Sequence, residues 1–141
     1  MATPRTLKRE SVFGGSDGVV LALGLIVALA GKPWAMWHAA LGAGLAELVG
    51  MTAGRWLSDS DDGFAVALAN GLAACLACWV PALPAAFAGH GPAALTAELT
   101  LVAGIAAVIS WLRPEKGVLA VAETYGVLAV AAGLCWAAGL A

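Results

Sequence analysis

Asp17, Glu47, Glu98 and Glu123 are the residues on which chemistry can be built, because each lies inside a run that is otherwise apolar. An ionisable side chain near a bilayer centre costs about 2.5 kcal/mol or more, and such groups usually face a bundle interior or a water path. Four carboxylates in so short a chain point to cation traffic. Met51 adds a second type of ligand, since it follows Glu47 by four residues and that spacing puts both on one helix face. Oxygen ligands alone suit magnesium or calcium, whereas a thioether beside them shifts preference toward softer divalent ions such as iron, with manganese tolerated. Ligation requires the deprotonated carboxylate, so one site can carry metal one way and protons the other. Each residue also has a plain structural reading. Met51 can fill a packing gap, Glu47 can be a neutral carboxyl bonded to a neighbouring helix, and Asp17 can cap the start of the first helix.

The elements that must hold these residues follow from composition. The chain is 62% hydrophobic and 11% charged, against about 25% charged in soluble domains, and its mean hydropathy is +0.91. The expected fold is therefore an all-α integral membrane protein. Breakers divide residues 1–141, a single domain, into five apolar runs at about 12–30, 34–57, 64–87, 93–112 and 117–141. Each is long enough for a transmembrane helix of about 20 residues and too apolar all round for a surface helix.

Arg5, Lys8, Arg9, Arg55, Arg113 and Lys116 fall on the side of the N-terminus, and Lys32 alone falls on the other. The positive-inside rule then places the N-terminus in the cytosol and the C-terminus outside. A basic start, an apolar stretch and Ala28-Leu29-Ala30 also fit a cleaved signal peptide, against which stand the length of the run and Asp17 at its opening. At about 1.5 Å per residue, Asp17 and Glu123 lie roughly 9 Å in from the cytosolic ends of their helices. Met51 is level with them, Glu47 is one turn deeper, and Glu98 is in the outer part of the fourth helix. Abundant Ala and Gly suggest a GC-rich genome, hence a bacterial plasma membrane.

Other residues carry less. Cys75 and Cys78 read as small packing residues in an apolar helix, and His38 either takes protons near the outer exit or is an interfacial group beside Trp34 and Trp37. Gly14 with Gly18, and Gly50 with Gly54, are small-xxx-small pairs, expected to pack the first two helices around Asp17 and Met51. Glu98 and Glu123 are candidates for proton-carrying or auxiliary metal groups. Asp59, Asp61 and Asp62 form an acidic turn that could attract cations at the path's mouth, although a solvated turn is the stronger reading of them.

The segment Val12-Phe13-Gly14-Gly15-Ser16-Asp17-Gly18-Val19-Val20 resembles the first helix of the vacuolar iron transporter family. Gly50-Met51-Thr52-Ala53-Gly54-Arg55-Trp56-Leu57-Ser58 is similar to that family's second-helix motif, and Pro81-Ala82-Leu83-Pro84 to the paired prolines that end its third helix. The resemblance implies a homodimeric exchanger that moves ferrous iron, and often manganese, out of the cytosol against protons. It implies that Asp17, Glu47 and Met51 line the path near the dimer interface. Two departures stand out: Arg55 occupies an acidic position of the motif, putting a cation at the cytosolic entrance, and only Ser58 to Gly63 fills the place of a cytosolic metal-binding domain. No nucleophile and base pair, cofactor loop or closed zinc motif is legible. The expected activity is thus transport, with Fe2+ or Mn2+ as substrate, no permanent cofactor and no nucleic-acid partner. Two further readings stay open, a protein of the same fold with an altered substrate and a non-transporting membrane scaffold.

Overall fold

Five helices follow one another: α1 (Pro4–Ala28), α2 (Pro33–Ser58), α3 (Phe64–Ala88), α4 (Pro92–Leu112) and α5 (Val118–Gly139). They come from a computed structural model that describes residues 3–58, 63–88, 91–113 and 117–139. Asp59, Asp61 and Asp62 lie outside the described residues.

Helices α2 to α5 agree with the expected runs to within about two residues at each end. Helix α1 does not, because it begins at Pro4 rather than near Val12. Proline suits the first turn of a helix, where its missing N–H has no partner to lose. Thr3 caps the turn, its Oγ1 accepting from the Thr6 N–H at 3.2 Å. The basic start is therefore a helical extension, and it brings Glu10 into the bundle.

Four helices, α1, α3, α4 and α5, are long and apolar enough to cross a membrane. Helix α2 has the length, 26 residues, but Trp34, His38, Glu47 and Arg55 dilute its apolar character. The architecture is that of an all-α membrane protein, and exposed side chains such as Phe87, Trp111, Val118 and Leu134 suit contact with lipid.

The centre of the bundle is α3, which packs extensively against α1 on one side and α2 on the other, while α1 and α2 touch each other sparingly. Over their most apolar stretches, 56% of α3 is buried against 11% of α5, so α3 is the axle and α5 a peripheral stave. Glycine permits the closest approaches. A Cβ on Gly14 would collide with the carbonyl of Asn70, and one on Gly18 with that of Ala74. On the other flank, Gly71 lies against Leu48 and Thr52 of α2. Gly14 and Gly18 thus do pack helices closely, but onto α3 rather than α2. Gly50 and Gly54 face open space, which corrects the expectation that they join α2 to α1. The apolar core runs through Val19, Ile26, Met36, Cys78, Val102 and Ile109. Pro81 and Pro84 lie inside α3, which continues past them to Ala88. Proline has no N–H to offer the carbonyl four residues earlier, so those of Ala77 and Val80 lack their helical donors.

Candidate functional site

Because α1 and α2 are both held on α3, their remaining faces present charged side chains toward one region. Asp17 of α1 and Glu47 of α2 come close enough for their charges to interact. Asp17 is exposed on the bundle's surface, whereas Glu47 and Met51 are half-buried. Glu47, Met51 and Arg55 recur every four residues and so share one stripe of α2. On α1, Glu10 precedes Asp17 by two turns.

These two stripes end in an ion pair. Arg55 Nε lies 3.1 Å from Glu10 Oε2, and Arg9 Nη2 lies 3.0 Å from Glu10 Oε1. The Glu10 and Arg55 side chains are only 8% and 15% exposed, against 69% for Arg9, so the first two form a sheltered pair and Arg9 its wet rim. The Arg55 contact is ionic, with the Nε–H pointing off line rather than making an aligned hydrogen bond. Arg55 is thus not a bare cation at the path's mouth. Glu10 compensates it, which the sequence reading missed because a carboxylate among Lys8 and Arg9 looks solvated. The available signal was its two-turn spacing from Asp17. Deeper in the bundle, Thr52 Oγ1 and Asn70 Oδ1 are buried without a hydrogen-bond partner, leaving uncommitted oxygens in the α1–α2–α3 packing.

Among the described residues, no three His, Cys, Asp or Glu side chains gather closely enough to hold a metal ion. Asp17 and Glu47 are two carboxylates whose charges interact, and Met51 offers a ligand of another kind one turn from Glu47.

No known protein-family model, curated protein or solved structure matches this chain. Function must be read from the side chains themselves.

The other expected residues fall elsewhere. Glu123 is not a lone carboxylate, since Arg113 Nη2 donates to its Oε2 at 3.4 Å across the α4–α5 connection. It lines a cleft of about 330 Å³ with Ser16, Val20 and Thr124. The neighbouring hydroxyls of Thr124 and Tyr125 donate to the carbonyls of Ala120 and Ala103, each at 2.8 Å. Glu98 is buried near the start of α4, beside a separate pocket that includes Met36. No local signal marks Met36, because its neighbourhood is made by α1 and α4. His38 bonds the Trp34 carbonyl at 2.7 Å through Nδ1, as an interfacial residue does. Cys78 is fully buried, its thiol directed at the Ala40 carbonyl at 3.8 Å, which supports the packing role read for it.

Proposed function

We propose that this protein is a minimal member of the vacuolar iron transporter family, exporting ferrous iron, with manganese accepted, from the cytosol in exchange for protons. In this reading all five helices span a bacterial plasma membrane, the N-terminus is cytosolic, the C-terminus is outside, and the working unit is a homodimer. The observation that carries it is the approach of Asp17 to Glu47 within apolar helices, with Met51 on the next turn. Two neighbouring carboxylates repel each other when both are ionised, and a divalent cation or a shared proton relieves that repulsion. The same pair therefore holds metal in one state and protons in the other, which is the requirement for exchange.

Two further features fit. Asp17 is exposed on the single chain, and a carboxylate facing lipid is costly, so a second copy covering this face removes the cost. The Glu10–Arg55 pair closes the α1–α2 face on the side where metal would enter, and opening it admits cations to Met51 and Glu47. Glu123 and its Arg113 partner serve as an auxiliary proton group on the α5 side.

The test is metal uptake into inverted vesicles under a pH gradient. Wild type takes up Fe2+, and Asp17→Asn and Glu47→Gln each reduce the rate at least about tenfold, at the scale expected for losing a metal ligand, with protein levels unchanged. Wild-type rates in both variants would overturn the proposal. One observation favours the second reading, a same-fold protein with another substrate or a scaffold: the described residues of one chain gather fewer than three His, Cys, Asp or Glu groups at any point. That reading prevails if wild type shows no metal-dependent uptake.

A further inference from the structure

At the end of the bundle opposite the Glu10–Arg55 pair, the turn that follows α1, the first turn of α2 and the start of α4 line a half-open pocket of about 210 Å³. Leu29, Gly31, Pro33, Met36, Pro92 and Glu98 are among its walls. Among the described residues, Glu98 is the one charged side chain lining it, and it is only 5% exposed, while Met36 is 3% exposed. Among the described residues, Glu98 takes part in no hydrogen bond or ion pair. Its carboxyl oxygens, without a hydrogen-bond partner among the described residues, remain open to the pocket they line.

The backbone around the pocket suits a cation held by that carboxylate. Helix α1 ends just before the turn that forms one wall, so the negative end of its dipole lies nearby, and the turn brings backbone carbonyls of its own. One is already used, since the Lys32 N–H bonds Leu29 O at 2.9 Å. Helices α2 and α4 begin here, and their positive ends favour negative charge nearby, which is the form of Glu98 a metal requires. Each begins with proline, so each offers one N–H fewer to an anion. A water occupies about 30 Å³ of liquid, so the pocket has room for an ion that keeps several waters.

We infer that this pocket is a second metal site, binding a divalent transition-metal ion through the Glu98 carboxylate and the Met36 thioether, with water and backbone carbonyls of the turn after α1 completing its shell. The thioether sets the preference, because sulfur favours softer ions over magnesium and calcium. The inference concerns binding alone and stands whether or not Asp17 and Glu47 carry transport.

The experiment uses the full chain in detergent micelles, with Asp17→Asn and Glu47→Gln combined so that the first site is silent. Co2+ and Mg2+ are titrated by calorimetry, and circular dichroism with a single elution peak checks the fold. The expected result is one saturable Co2+ site per chain that Glu98→Gln removes. Met36→Leu, which keeps the volume, weakens Co2+ at least about tenfold and leaves Mg2+ unchanged. Absence of saturable Co2+ binding in the double background overturns the site, and so does binding that persists in Glu98→Gln. Unchanged Co2+ affinity in Met36→Leu overturns the thioether's role. Should Glu98→Gln not fold, Met36→Leu still decides, since it preserves both the charge and the core. Co2+ binding here alongside absent vesicle uptake would count against the transport proposal alone.

Discussion

Glu10 and Arg55 show how a charge inside an apolar bundle is tolerated. Removing one member of a sheltered ion pair leaves the other buried and uncompensated, whereas removing both eliminates the problem. Glu10→Gln and Arg55→Gln should therefore each destabilise the protein, and the double variant should recover part of the loss. A double-mutant cycle on unfolding in mixed micelles should give a coupling of about 0.5–3 kcal/mol, the range for contacting residues. Strict additivity would mean that the pair does not hold the α1–α2 face closed. Arg9, far more exposed, should contribute less than about 1 kcal/mol to the same measurement.

The central placement of α3 is written into glycines that admit another helix's backbone. Adding a methyl to Gly18 drives it against the Ala74 carbonyl, so Gly18→Ala should cost about 1–3 kcal/mol, as overpacking does. Gly54→Ala, placed in open space, should stay within about 0.5 kcal/mol, as surface changes do. Equal losses in the two variants, measured by the same unfolding titration, would contradict this packing. The helices themselves were legible because length and hydropathy are local properties. Which helix lies between which others is not local, and small-xxx-small pairs announce close packing without naming the partner. The polar start misled for a related reason: Arg5, Lys8 and Arg9 resemble a tail until Pro4 and Thr3 are recognised as a helix start. Asp17, Glu47 and Met51 were singled out by residue type and spacing, whereas Met36 meets Glu98 only where the starts of α2 and α4 join the turn after α1.

For the whole molecule, the proposed homodimer predicts where a second copy would sit. Gly42, Ala46, Gly50 and Gly54 form an exposed stripe of small residues along α2, and Asp17 is exposed on neighbouring α1. Small stripes let helices of two chains approach closely within lipid, and a two-fold arrangement would bury both features at once. In native membranes, single cysteines replacing Phe13 or Gly50 in a cysteine-free background should cross-link to a dimer, and one replacing Leu134 on peripheral α5 should not. Monomer alone from the first two, at every expression level, would exclude the arrangement. The seating of α1 on α3 also has a consequence in time. Gly14 and Gly18 cannot reach Asn70 and Ala74 until a further 56 residues (70 minus 14, or 74 minus 18) have been synthesised, roughly 3 to 11 s at the ribosome's 5–20 residues per second. For that interval α1 has only α2 beside it, a helix it barely touches in the finished fold. Helix α1 must wait for α3, and during the wait Gly14 and Gly18 are covered by lipid, the insertion machinery or a chaperone rather than by the backbone they finally meet.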